Sequence, residues 1–560
     1  MELRKSFDTI RYLRGRQIVG QLMQRLRSLR GDQVISRSRN IPEFPGAYLP
    51  LSDSILPPGG QRNSAGDLLS GTFTFLNSTH SLGWPPDWEP EGLAKLGKYN
   101  LHYFEWLWAL DYTEAKQAVS DWIEQYDLRR LRVGWEPYPV SLRLMNWSIL
   151  FFGKFRDRTE SDREFLNILW RSIFIQSQWL LRNLEVHLLG NHFFENGAAL
   201  ALVGSCFKGP AADRWYQMGK KIVTAEINEQ VLSDGMHFER SPMYHLRYIY
   251  LLLLLMKMGR DDIRPTARAA AGEMISALRC LRHPDGEIAL FNDSALGIYN
   301  RPADLIALWE NETGSLIGEE DTAPAGNWAL PEAGYYGFRD DEGNYLICDA
   351  GPIGPDYLPG HAHGDIFSFE LSLKGHRVIV DSGVCEYAEG RMRDYCRSTG
   401  AHNTVEIAGQ DQCEFWGAFR VARRGHPHDI VWQPSGEGFV LSGWHDGYRR
   451  LSGAPTHYRQ FIRSKDVFLK IQDRVESHSP VKIVSRVHLH PDCLIKSHKG
   501  NQIDISYPGG QFRITFFGEG DLKFESSIYC PEFGRRLDNK VINFISSGLK
   551  IETGFLVEYL

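Results

Sequence analysis

Residues 367–383 read FSFELSLKGHRVIVDSG, with apolar side chains at alternate positions on both sides of a turn signal. A period of two belongs to a half-buried strand, because successive side chains point to opposite faces. Similar short runs recur downstream: HNTVEIAG (402–409), DVFLKIQDRV (466–475), VKIVSRVHLHP (481–491), QIDISY (502–507), FRITFF (512–517) and LKIETGFLVEYL (549–560). NYLICDAG (344–351) opens the series. Many short strands separated by turn signals predict an antiparallel sandwich. Upstream the period changes. YFEWLWALDY (103–112), YPVSLRLMNWSILFFGKF (138–155), FLNILWRSIFIQSQWLLRNL (165–184), GAALALVGSCF (197–207) and RYIYLLLLLMKMG (247–259) carry apolar residues at helical spacing,. Helices of similar length with short links predict helix pairs stacked into a toroid. The expected organisation is a basic helix and irregular lead-in (1–94), an α/α toroid in the form of an incomplete barrel (95–310), a polar Gly/Ala/Pro-rich linker (311–335) and an antiparallel β-sandwich (336–560).

The composition suits this plan. The 560 residues are 42% hydrophobic and 24% charged, which excludes collagen-like, largely disordered and disulfide-scaffold chains,. A net charge of −6 gives no basic field for nucleic acid,. The eight cysteines are scattered and include no C-x-x-C, so no zinc ribbon or redox motif is read,. Charges at Glu2, Arg4, Lys5, Asp8 and Arg11 leave no room for the ~7–15-residue apolar core of a signal peptide. The most apolar run, Ile249–Met256, is far short of the about 20 residues that span a bilayer. A cytoplasmic protein is expected, or a periplasmic one if another route exports it. Residues 1–30 carry eight Lys/Arg against Glu2 and Asp8, with Ile18, Leu22, Leu26 and Leu29 at helical spacing. That predicts a basic amphipathic helix docked on an acidic surface of its own protein, or on an anionic membrane face.

Three clusters carry candidate chemistry. In GNHFFENG (190–197), a helix would place Asn191 and Glu195 on one face beside His192, unless Asn191 is only a cap and His192 a core residue. In SDGMHFERSPMYH (233–245), Ser241-Pro242 reads as an N-cap and first helical position. Tyr244 then lies in the first turn, where the helix field favours a phenolate and suits proton exchange. In the β half, His361 and His363 would share a strand face. His363, Asp381 and His402 form a set that suits zinc, although their spacing matches no local metal motif.

These motifs together resemble the heparinase II/III family of polysaccharide lyases, including its alginate-lyase relatives and members associated with bacterial surface polysaccharides. The resemblance runs through RYLRGRQIVGQL (11–22), KYNLHYFEWL (98–107), WEPYPVSLRLMNW (135–147), NHFFENG, DGMHFERSPMYH, PDGEIALFNDS (284–294), GHAHGDIFSFEL (360–371), DSGVCEYAEGRMRDYCRSTGAHNTV (381–405) and VHLHPD (487–492). It implies a toroid followed by a sandwich, and β-elimination at a uronic acid. The C5 proton lies α to a carboxylate, so the protein must neutralise that carboxylate and supply a base and an acid.

The resemblance assigns Asn191 and His192 to the carboxylate, Tyr244 to proton transfer, and His361 to proton transfer or charge stabilisation. Glu195 would orient His192 or a sugar hydroxyl, and Arg240 and Arg397 would clamp carboxylates. Tyr395 or Tyr387 would be a second tyrosine. One divalent metal, zinc, would be held structurally by His363, Asp381 and His402. The implied partner is an acidic polysaccharide or oligosaccharide; homo-oligomers fit as well. Two other functions fit the same architecture: a glycoside hydrolase using Glu195, Glu239, Asp293 or Asp365, and a non-catalytic glycan-binding protein of polysaccharide assembly.

Overall fold

The computed structural model describes residues 2–30, 41–47, 57–60, 62–126, 132–314, 325–436 and 438–560. Two helices, Glu2–Ile10 and Gly15–Arg30, replace the single basic helix expected at the start; the chain turns at residues 11–14, where the Arg14 backbone N–H donates to Gln17 Oε1 (2.9 Å). Leu26 and Leu29 of the expected stripe have side chains outside the described residues. The lead-in also contains a small hairpin, Thr72–Phe75 with Ser78–Ser81.

The helical half alternates between two kinds of helix. Pro137–Ile149, Gly190–Cys206 and Pro242–Met258 are buried on nearly every side, polar residues included. Tyr112–Gln125, Arg163–Arg182, Pro210–Gln230 and Arg264–Cys280 bury one stripe and expose charges on the other. The first kind forms the inner ring of a toroid and the second its outer ring, as the surroundings of each face require. Glycines set how closely the rings approach. A Cβ on Gly204 would lie 2.4 Å from the Tyr216 nitrogen, and one on Gly219 would lie 2.3 Å from the Ala201 nitrogen.

The β half has two antiparallel sheets. The smaller runs in sequence order through Gly326–Leu330, Tyr335–Arg339, Tyr345–Asp349, Phe369–Leu373 and His376–Ile379. The larger is organised on two long strands, Leu469–His488 and Leu537–Tyr559, paired with each other. Leu346, Leu371 and Ile379 of the small sheet pack with Phe439, Phe461, Ile471 and Phe555 of the large one. Of the stretch expected as linker, residues up to Thr313 belong to the helix Pro302–Thr313, residues 326–330 already form a strand, and 315–324 lie outside the described residues.

Buried polar contacts join the halves. His283 Nε2 donates to Glu370 Oε2 (2.6 Å), and Arg377 Nε donates to Asp285 Oδ2 (2.7 Å). The Arg240 guanidinium, expected to hold a carboxylate, instead donates to the Ala333, Glu332 and Phe238 carbonyls at 2.9–3.0 Å. Its five N–H donors make it a joint of the fold rather than a substrate clamp.

Candidate active site

The cleft is built where the two halves meet. Ser241 Oγ caps the helix Pro242–Met258 by accepting from the Tyr244 nitrogen, and Pro242 takes the first helical position, as expected,. Tyr244 therefore projects from the first turn. Its ring lies 4.1 Å from that of His361, centroid to centroid, and its hydroxyl is 3.0 Å from the Tyr387 hydroxyl. Burial pushes the Tyr244 phenol well above its usual range, and Tyr387 adds to the rise. Desolvation thus outweighs the helix-end field, and Tyr244 is held as a phenol. Tyr387, not Tyr395, is the second tyrosine of the cleft. The Tyr395 hydroxyl is engaged by Ser382 (3.0 Å) and Ser527 (2.7 Å), outside this pair.

Asn191 opens the helix Gly190–Cys206 but does not cap it. Its Nδ2 donates to Glu239 Oε2 (3.1 Å) and to His361 Nε2 (3.2 Å), while its backbone N–H donates to Glu239 Oε1 (3.2 Å). Gly190 makes this possible. Its φ is +54°, and a Cβ there would lie 2.5 Å from Glu239 Oε1,. Leu189 (+64°), Arg240 (+56°) and Asn292 (+55°) also have positive φ,.

His361 and His363 lie in a loop between Tyr345–Asp349 and Phe369–Leu373, not on a strand face. They straddle one carboxylate. His361 Nδ1 donates to Asp293 Oδ2 (2.9 Å) and His363 Nε2 to Asp293 Oδ1 (2.9 Å). Arg393 completes the group by donating to both Asp293 oxygens. Burial alone would raise the Asp293 carboxyl, but Arg393 and the two histidines hold it well below the usual range. An ionised Asp293 fixes the proton of His361 on Nδ1 and leaves the Nε2 lone pair facing Asn191 and the cleft, the arrangement of a carboxylate-oriented base.

His192 has its contacts within the helical half. Its ring lies 4.4 Å from that of Tyr138, centroid to centroid and tilted by 37°, and its Nδ1 contacts Glu185 Oε1 at 3.1 Å. Burial opposes its charge, yet Glu185 raises its pKa on balance. With its side chain 32% exposed, it offers a ring nitrogen at the cleft wall, and Glu185 favours its protonated form. Glu195 does not orient it. Both Glu195 oxygens accept from Arg247 (3.2 and 2.5 Å), a buried pair within the toroid. Arg397 is likewise no clamp. Its guanidinium donates to the Ala362 and Gly417 carbonyls (3.2 and 3.0 Å), and burial lowers its pKa to about 9.

The four carboxylates considered for a hydrolase all have partners: Glu195 pairs with Arg247, Glu239 accepts from Asn191, Asp293 accepts from Arg393, and Asp365 lies in the group described next, which could hold a metal.

One donor of the expected metal set changes. His363, Asp365 and His402, all buried, place one ligand atom each within 4.8 Å of one another. His363 Nδ1, Asp365 Oδ1 and His402 Nε2 are also buried without a hydrogen-bond partner. Three orphaned acceptors converging on one point fit a divalent cation, and two imidazoles with a carboxylate suit zinc. Asp381 sits behind this group: its Oδ2 accepts from His402 Nδ1 (2.6 Å), which aims Nε2 inward,. Burial brings His363 down to about 3, so it is neutral as a ligand must be,. For His402, burial is outweighed by Asp381 and Asp365, which raise it to about 9, so a bound cation would have to displace the proton on its Nε2,.

Sequence reasoning had not given Asp293 its linking role, and it missed Arg393, Glu185 and Tyr138. Asp293 and Arg393 do fall inside the motifs PDGEIALFNDS and GRMRDYCR.

Residues 99–304 match the family model described as Heparinase II/III N-terminus, and residues 322–551 match Heparinase II/III-like, C-terminal. The chain belongs to the heparinase II/III family. Among its relatives, the heparin-sulfate lyase of Pedobacter heparinus is 27% identical over 354 residues, 56% of this chain and 52% of that one. The FtsZ-localized protein C of Caulobacter vibrioides is 24% identical over 475 residues, 78% and 76% of the two chains. This chain thus spans about half the length of the Pedobacter relative. A crystal structure of heparinase III superposes with a TM-score of 0.70 at 18% identity, covering 86% of this chain and 80% of that one, and supports the toroid-plus-sandwich fold.

Proposed function

We propose that the protein is a polysaccharide lyase that cleaves a uronate-containing glycan of the glycosaminoglycan class by β-elimination. The observation that carries this reading is His361. Its Nδ1–H is held by an ionised Asp293, and its Nε2 lies 3.2 Å from the Asn191 amide beneath the ring of a protonated Tyr244. A uronate carboxylate entering the cleft takes over the Asn191 N–H now given to His361 and meets His192 on the same wall. Charge neutralisation there acidifies the C5 proton. His361 Nε2 removes that proton, and Asp293 stabilises the imidazolium. The C4–O4 bond breaks as C4=C5 forms, and Tyr244 protonates O4, with Tyr387 hydrogen-bonded to its oxygen. Transfer of the proton from His361 back to the Tyr244 phenolate restores both groups. A divalent metal bound by His363, Asp365 and His402 would anchor the loop that carries His361.

Relatives named heparin-sulfate lyase support this reading. Another relative's name, FtsZ-localized protein C, records a location and not a reaction, and glycan binding without cleavage is the second reading that the test must separate. Absorbance of the unsaturated product on a panel of uronate polysaccharides separates the two. Gain in absorbance, lost in Tyr244→Phe and His361→Ala, is expected. Binding without turnover favours the second reading, and new reducing ends without absorbance gain make the protein a hydrolase.

A further inference from the structure

The two N-terminal helices sit on the body of the protein the wrong way round for a soluble helix. Several of their polar residues face inward. Asp8 and Gln17 are buried, Thr9 Oγ1 accepts from Trp416 Nε1 (3.1 Å), and Gln17 Nε2 donates to the Tyr357 carbonyl (3.2 Å). Arg14 donates to Glu229 Oε1 (2.6 Å) and stacks 3.6 Å over Tyr357, while Arg424 stacks 3.7 Å over Tyr12. These contacts brace the pair against both halves of the molecule, next to the loop that leads into His361.

The apolar residues face solvent. Phe7, Ile10, Ile18, Val19, Leu22 and Met23 are between 41% and 70% exposed. The spacings 7/10, 18/22 and 19/23 put them on one outward stripe of each helix. A soluble surface helix shows the opposite arrangement, and a contiguous apolar patch edged by charge marks a surface that something else covers.

The charge beside the stripe says what fits. Arg4 and Arg11 are exposed, and the Asp8 carboxylate between them is itself largely buried (3.8 and 3.6 Å). A second copy of this face would set arginine against arginine. A lipid surface with anionic headgroups supplies both an apolar layer for the stripe and negative charge for its cationic edge. We infer that the outward face of residues 4–24 is a docking surface for an anionic lipid bilayer, holding the protein peripherally with its cleft at a fixed orientation to the membrane. No helix among the described residues is long and apolar enough to cross the bilayer.

Co-sedimentation of the full chain with vesicles tests this. Vesicles of phosphatidylcholine with phosphatidylglycerol should retain the protein at least tenfold more strongly than phosphatidylcholine alone, and high salt should release it. The double variant Val19→Asp/Leu22→Asp should lose at least tenfold in vesicle binding, with melting temperature and solution activity unchanged. Arg4→Glu/Arg11→Glu should abolish the preference for anionic lipid. Failure to bind anionic vesicles, or equal binding by the aspartate variant, overturns the inference. So does a fall from dimer to monomer in that variant by light scattering without any change in vesicle binding, which makes a second copy the occupant. The vesicle-binding and light-scattering outcomes do not depend on the cleft being catalytic.

Discussion

Two clusters in this molecule are assembled from the same parts, a carboxylate, an arginine and two histidines, and only one of them opens to the cleft. In the sandwich, the Gly447 N–H donates to His445 Nδ1, His445 Nε2 to His457 Nδ1, and His457 Nε2 to Asp473 Oδ1 (3.3, 3.0 and 2.8 Å). Arg459 donates to both Asp473 oxygens, and to the Phe367 and Asn403 carbonyls. Both histidine rings and the carboxylate are fully enclosed and satisfied. At the cleft, Asp293 and Arg393 make the same core, but His361 keeps 15% of its side chain exposed and His363 turns an orphaned Nδ1 toward Asp365 and His402. A buried charge network is therefore not a site by itself. What distinguishes a site is a polar group that a proton or a ligand can reach.

The contrast can be broken experimentally. Its largest consequence is for activity. His361→Ala, and separately Tyr244→Phe, should lower kcat/KM by about 10³ on a good substrate, within the range for loss of a general acid or base, while the melting temperature barely moves. Near-normal turnover in either variant would remove that residue from the chemistry. The opposite result is expected in the sandwich: Asp473→Asn, which leaves Arg459 buried without its counter-charge, should cost about 3–5 kcal/mol in denaturant unfolding. Activity per folded molecule should be retained.

The metal group sharpens the contrast further. Purified protein should contain one equivalent of divalent metal by elemental analysis, and His363→Ala should lose it; metal-free wild-type protein with an equally stable His363→Ala variant would refute the site. A smaller effect separates the tyrosines. Tyr395→Phe should cost about 1 kcal/mol of stability or less with turnover unchanged, whereas Tyr387→Phe should slow turnover with little change in stability. The smallest effect is acid sensitivity. Burial would raise the Asp285 carboxyl, but Arg377 brings it down to about 2. Its folded pKa lies below the unfolded value of about 3.9, so its contribution is complete above pH ~4 and is lost as pH falls toward 2. With its side chain about a third exposed, Asp285→Asn should flatten that acid limb by ~1 kcal/mol,.

Local signals served well wherever a property depends on neighbours in the chain. Ser241-Pro242 announces the helix that carries Tyr244, the change from helical to alternating periodicity separates the halves, and Asn191 lies in the helix that its motif suggests. Local signals failed where the partner is distant. Tyr387 and Tyr395 are eight positions apart with similar surroundings in the sequence, and only the fold brings one to the Tyr244 hydroxyl and the other to Ser382 and Ser527. Arg240 and Arg397 look like free cations until tertiary contacts show each guanidinium taken up by backbone carbonyls. Asp365 and Asp381 flank the same histidines, and the direction in which each carboxylate points decides which one joins the metal group and which holds a ligand ring from behind.

By itself, the sequence determined the element types, their order and the residue chemistry available to the site, because side-chain periodicity and capping act over a few positions. Only the tertiary structure decided which polar groups were satisfied and which were left to work. Hydrogen bonding and desolvation depend on what packs against a group, and for Asn191, Tyr244 and Asp293 those neighbours include residues from the opposite half of the chain.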